Sequence, residues 1–181
     1  MTGPFDKSLD GIPSVKHGDL TAEQEQALAP RVPPDLIAHW KANGFCSYWD
    51  GLLWMTDPLV FDSFAEEAEM KGTLFARTAF GDAFFWNGRW IEYLDVNYWS
   101  DKHVSPDIGV FLELLFVDRT FEELLHRDIF DKARQRLPAP AIDECYGFTP
   151  PLALGGALDA SSVQVVKLRP RLSILKQAGE G

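Results

Sequence analysis

Between residues 73 and 95 three short apolar runs follow one another with only a tight-turn dipeptide between them, a spacing that few folds accommodate. The runs are Thr73–Phe80, Ala83–Trp86 and Arg89–Asp95, joined by Gly81-Asp82 and Asn87-Gly88. Such pairs accept the positive φ of a hairpin turn, and links this short cannot carry a crossover. An antiparallel meander follows, with Val96–Trp99 read as a fourth strand. Asp50-Gly51, between the aromatic run 46–49 and Leu52-Leu53-Trp54, predicts a further hairpin. Neighbouring strand residues point to opposite faces, so the rings of Tyr48-Trp49 and Phe84-Phe85-Trp86 cannot share one side of a sheet. A second layer, a partner or a ligand must cover one side.

Helical signals surround this sheet. Residues 1–33 read as a loose lead-in with a turn or two of helix near Thr21–Leu28. Pro33-Pro34-Asp35 opens a helix with Leu36, Ile37 and Trp40 on one face and Gly44 as its stop. Asp57-Pro58 starts another, in which Phe61, Phe64, Ala65 and Ala68 repeat at helical spacing while Asp62, Glu66, Glu67 and Glu69 make the other face acidic. Residues 100–105 read as a break. Ser105 is a candidate N-cap, followed by an apolar stripe of Ile108, Phe111, Leu112, Leu115 and Phe116. Thr120-Phe121-Glu122-Glu123 fits a capping box for a helix running to about Leu137. Proline and glycine predict irregular chain over 146–156, then a strand at Val163–Leu168 and a helical turn at Leu172–Gln177. The expected fold is α+β: an antiparallel meander of four to six strands covered by helices. An N-terminal region, 1–104, and a helical C-terminal region, 105–181, should pack as one compact unit.

Charge narrows the function. The net charge is −10, and residues 1–70 hold 12 acids against four bases, Lys7, Lys16, Arg31 and Lys41. Nucleic acid demands a basic surface, so direct nucleic-acid binding is excluded as an expectation. A basic protein is the partner such a surface attracts and steers, although acidity also serves solubility alone. Cys46 and Cys145 lie far apart and suggest no disulfide framework, and the opening residues carry no basic start with an apolar run, which predicts a cytoplasmic chain without membrane spans.

Motifs for chemistry are sparse. The sequence has no phosphate loop, His-Glu-x-x-His or Gly-x-Ser-x-Gly. Neither a metal nor a cofactor is expected. His103 near Asp101 and Asp107 matches no familiar ligand spacing. His126 beside Asp128 and His39 beside Trp40 read as solvated helix positions. A nucleophilic Cys46 or Cys145 would need a base and a lowered pKa; a buried structural thiol is the simpler reading.

Pro34-Asp35-Leu36, Trp40, Gly44-Phe45, Gly51-Leu52-Leu53-Trp54 and Asp57-Pro58 resemble the start of a GAD-like domain, continued by Phe80-Gly81-Asp82 and Trp86-Asn87-Gly88. Tyr146-Gly147-Phe148 with Pro150-Pro151-Leu152-Ala153-Leu154-Gly155-Gly156 resembles the signature of the domain that usually follows. The pairing is similar to immunity proteins encoded beside DNase effectors of the type VI secretion system. The resemblance implies a non-catalytic cytoplasmic antitoxin that neutralises a cognate nuclease toxin, a basic protein, by direct contact. Its motif residues are Gly, Pro and aromatic, and read as architecture.

The candidate contact residues therefore come from charge: Asp50, Asp62, Glu66, Glu67 and Glu69, with the strand-end residues Asp82, Asp95 and Asp101 as a second group. Two alternatives stay open. One is a small-molecule or metal-sensing protein whose Pro-Pro/Gly-Gly loop frames a pocket. The other is an unrecognised hydrolase using Asp101, His103 or Cys145.

Overall fold

The computed structural model describes residues 11–111 and 123–179. Seven strands form one antiparallel sheet in sequence order: β1 (Ser14–Gly18), β2 (Phe45–Tyr48), β3 (Leu53–Met55), β4 (Thr73–Thr78), β5 (Ala83–Trp86), β6 (Ile91–Asp95) and β7 (Ser100–Ser105). Helices α1 (Ala22–Leu28) and α2 (Pro34–Asn43) lie between β1 and β2, and α3 (Asp62–Glu67) lies between β3 and β4. Past residue 105 come a helical stretch at 108–111, α4 (Arg127–Arg134), a hairpin of β8 (Glu144–Phe148) with β9 (Val163–Lys167), and α5 (Leu168–Gly179).

The predicted turns form the meander. Trp49, Asp50 and Gly51 all take positive φ (50°, 58° and 94°) between β2 and β3. Gly81 turns β4 into β5 at φ 93°, and Gly88 turns β5 toward β6 at φ 92°, where the Asn87 side chain accepts the Arg89 and Trp90 N–H groups. The helix starts follow the same local rules. Thr21 and Gln24 close a capping box on α1, Pro34 occupies the first turn of α2, and Gly44 ends α2 with its N–H on the Trp40 carbonyl.

Both sheet faces are covered, which resolves the adjacent rings. Phe84 and Tyr93 belong to one apolar cluster with Leu36 and Trp40 of α2, Phe111, Phe130 of α4, and Tyr146 and Phe148 of β8. Phe85 and Leu94, one residue along each strand, belong to another with Phe64 of α3 and Leu168, Leu172 and Leu175 of α5. The layers are helix, sheet, helix.

Several expectations change. β1 and β7 are strands where a lead-in and a break were expected: SVKHG and SDKHVS are mostly exposed edge strands, and an edge facing water carries no apolar alternation. Residues 96–99 turn rather than extend. Tyr146-Gly147-Phe148 is regular, forming most of β8; Gly147 is used because a Cβ there would lie 2.8 Å from the Val166 side chain. His39 is fully buried against Tyr48 and Cys46, not solvated, and His126 is half-buried edge-on to Phe80 and Phe148. Asp107, not Ser105, accepts the Val110 N–H at the following helix start. The Thr120 capping box and the Leu112, Leu115 and Phe116 positions lie outside the described residues.

Candidate functional site

The β4–β5 turn is where the two halves of the chain meet. Phe80, at its tip, stacks on Phe148 at 5.4 Å with planes 6° apart, and packs on Tyr146 at 6.1 Å. The Tyr146 N–H donates to the Ala79 carbonyl at 2.8 Å, joining β8 to the turn. Asp82 fixes the turn from inside. Its carboxylate accepts the Thr78 hydroxyl at 3.0 Å, the Val96 N–H at 3.1 Å and the Asn97 amide at 3.4 Å. Thr78 Oγ1 in turn accepts the Phe80 and Asp82 N–H groups. Burial, reinforced by the nearby Asp95, pushes the Asp82 carboxyl up to about 7. Asp82 is completely enclosed. It is thus withdrawn from any contact with a partner, and its place among the charge-selected residues is corrected: it is an internal staple.

The other selected carboxylates separate into two places. Hairpin geometry sets Asp50, Asp95 and Asp101 at the end of the sheet that carries the β2–β3 and β6–β7 turns. Asp95 accepts the Asn97 and Tyr98 N–H groups and caps its own turn, whereas Asp50 and Asp101 are exposed. The second group lies on and after α3. There Arg31 grips Asp62 with two hydrogen bonds of 3.0 and 2.5 Å, and Lys176 reaches Glu69 at 3.4 Å. Further along the acidic half, Lys41 pairs with Glu25 at 2.5 Å and Lys16 with Asp19. Among the described residues no base pairs with Asp50, Glu66 or Glu67, and all three are exposed. Part of the surplus negative charge is therefore spent inside the molecule, and part remains outward-facing.

Sequence reasoning missed a cavity of about 420 Å³ beside α3. Its inner wall is a cross-strand ladder on the same sheet face that α3 and α5 cover, beside those helices. The His17 ring of β1 stacks on Trp54 of β3 at 4.5 Å and 18°, and the Arg77 guanidinium of β4 lies 4.3 Å from the same indole. Trp54 and Arg77 are register partners, and the small Ser47 between β1 and β3 leaves the indole room and bonds His17 at 2.9 Å. Arg77 is buried, donates to the Thr78 and Ile142 carbonyls at 3.3 and 3.1 Å, and keeps its charge although burial lowers its pKa to about 10. Phe45, Met55, Phe61 and Leu168 complete an apolar interior, with Val60 and Ile142 at the surface. The signal was present as His17, Trp54 and Arg77, but their meeting depends on the pairing of four strands.

The residues named for chemistry do not converge. His103, on β7, bonds Glu92 at 3.1 Å and stacks on Trp90 at 5.4 Å. Cys145 is buried in the α5-side cluster, and loss of hydration pushes its thiol up to about 12, away from a reactive thiolate. Among the described residues no three His, Cys, Asp or Glu side chains group as metal ligands. No described helix is long and apolar enough to cross a membrane.

Residues 13–100 match the GAD-like domain, and residues 107–178 match the family described as T6SS immunity protein Tdi1, C-terminal. The chain is a GAD-like domain followed by a Tdi1-type immunity domain. The crystal structure of Atu4351 from Agrobacterium tumefaciens has the same fold: TM-score 0.77 at 16% identity, covering 98% of this chain and 89% of that one. Comparison with curated proteins found no match. The Phe80–Phe148 stack therefore joins the GAD-like part to the Tdi1-type part, and the cavity takes walls from both, with Trp54 and Arg77 from the former and Ile142 and Leu168 from the latter. Membership in this family supports an immunity role and suggests a non-enzymatic one.

Proposed function

We propose that this protein is a cytoplasmic antitoxin that neutralises a cognate type VI secretion DNase by direct protein–protein contact. The observation that carries the reading is the Tdi1-type domain at residues 107–178. The outward carboxylates of Asp50, Asp101, Glu66 and Glu67 fit it: an enzyme that grips DNA presents a cationic surface, and unpaired carboxylates steer and hold such a surface. Asp62 and Glu69 contribute less, because Arg31 and Lys176 already hold them. Covering the DNA-binding face excludes substrate without chemistry by the inhibitor.

The test mixes the purified protein with a catalytically inactivated candidate DNase for complex formation, and with the active enzyme for nuclease inhibition. A one-to-one complex that weakens as salt rises, mainly through a slower on-rate, is the expected result. No complex at low ionic strength, with undiminished DNA cleavage, removes the proposal. The cavity favours a second reading, a small-molecule binding protein. A compound retained by the purified protein in native mass spectrometry would support it.

A further inference from the structure

From the cavity beside α3 we infer that this is the anchor site for the toxin: an aromatic or long aliphatic side chain, projecting from the toxin's basic surface, inserts there. The inference rests on the immunity reading and adds to it the place and chemistry of docking.

The occupant's apolar character follows from how the walls are spent. Each charged side chain that lines the cavity already has at least one partner within the protein. Asp57 accepts the Gln24 amide at 2.7 Å and the Leu59 N–H at 3.0 Å. Asp143 is paired with Lys167 at 2.8 Å, Asp19 with Lys16, and Arg169 donates to the Ser63 hydroxyl and the Val60 carbonyl at 2.8 and 2.6 Å. Thr56 Oγ1 and Arg77 Nε lack partners, but both atoms are enclosed by protein and present nothing to the open space. A polar ligand would find few groups left to bond, whereas an apolar side chain would meet Trp54, Phe45, Met55 and Leu168.

The mouth is built as an exposed apolar pair. Val60 is 60% exposed and Ile142 61% exposed, one from each family-matched half, and both line the cavity. Val60 is held in place rather than loose: Asp57 caps its turn and Arg169 fixes its carbonyl. An apolar rim held in place over a cavity, as Val60 is here, is the form taken by the few residues that dominate an interface, because little ordering entropy is lost on contact.

Charge selects a protein from a basic enzyme as the occupant. The wall at Val60 and Phe61 runs directly into α3, which carries outward Glu66 and Glu67, and exposed Glu23 of α1 precedes Gln24, which lines the cavity and bonds Asp57. A cationic surface carrying an apolar anchor meets both features at once; a small neutral molecule gains nothing from those carboxylates.

The experiment uses Val60→Asp and Ile142→Asp, which place a charge at the mouth on side chains already in water, with Leu154→Asp and Ile174→Asp as exposed apolar controls outside the cavity. Affinity for the inactivated toxin is measured by calorimetry, with thermal unfolding of each variant as the check on folding. The expected result is a loss on the order of 30-fold or more for each mouth variant, against less than about threefold for the controls. If wild type binds the toxin and the folded mouth variants bind equally well, the anchor site is overturned and the immunity reading stands. If wild type does not bind, both fail together. If a small molecule co-purifies in the cavity and is lost from the mouth variants while toxin affinity is unchanged, the cavity is a ligand site and the inference is wrong.

Discussion

Replacing Phe80 with alanine removes the side chain that locks the β4–β5 turn to β8. Phe80 is 1% exposed and touches three rings: Phe148 at 5.4 Å, Tyr146 at 6.1 Å and His126 at 5.6 Å. A buried Phe→Ala change costs about 3–5 kcal/mol, and the stacked geometry with Phe148 places this one toward the upper end. At a urea slope of about 2 kcal/mol/M that cost lowers the unfolding midpoint by roughly 1.5–2.5 M. All six tryptophans fall at or before Trp99, so their fluorescence follows the GAD-like part alone, whereas far-UV circular dichroism follows the helices of both parts. In the wild type the two signals should share one midpoint. In Phe80→Ala both should fall together, because the residue sits in the GAD-like part and packs on Phe148 and Tyr146 of the other. A midpoint shift worth less than about 1 kcal/mol would refute the claim that this contact couples the halves. So would a fluorescence transition that stays in place while the dichroism transition moves.

Asp82→Ala leaves the Val96 N–H and the Asn97 amide without an acceptor, and should cost about 2–4 kcal/mol in denaturant titrations. In the wild type, burial raises the folded Asp82 carboxyl to about 7, from an ordinary value of 3.8. The folded state thus holds an extra proton between those values. Asp82 therefore contributes stability at low pH that is lost as pH rises through about 7, and Asp82→Asn should flatten that dependence in urea melts at pH 5 and pH 8. Gly156→Ala places a Cβ 1.9 Å from the Pro150 carbonyl oxygen, a backbone atom that cannot yield, and should cost on the order of 2 kcal/mol or more by thermal unfolding. Glu66→Lys with Glu67→Lys should leave thermal stability within about 0.5 kcal/mol, yet slow toxin association at low salt, with the difference shrinking as ionic strength rises. An unchanged on-rate at low salt would remove α3 from the interface.

The features legible in the sequence rest on short-range physics. The positive φ at Asp50-Gly51, Gly81 and Gly88, the proline at the start of α2 and the capping box at Thr21 are decided within a few residues, so the sequence displays them directly. The helical spacing of Phe61, Phe64, Ala65 and Ala68 likewise predicted a buried face, and all four are buried. The edge strands β1 and β7 were illegible because their side chains mostly face water, and only hydrogen bonding to β2 and β6 makes them strands.

For function, the chain itself carried a net charge of −10 and the paired signatures of two domains, enough to point to an immunity role. It could not say which carboxylates remain outward. Asp82 and Glu66 are both acidic residues in strong local patterns, yet one is sealed under a turn and the other stands in water. That difference arises from what packs above each residue, and the packing elements come from distant parts of the chain. The cavity has the same origin: His17, Trp54, Arg77 and Leu168 are neighbours only once four strands are in register and α5 is laid against the sheet. Local sequence dictates turns, caps and faces because their energetics act over a few bonds. Burial and concavity are properties of long-range contact, and only the folded chain decides them.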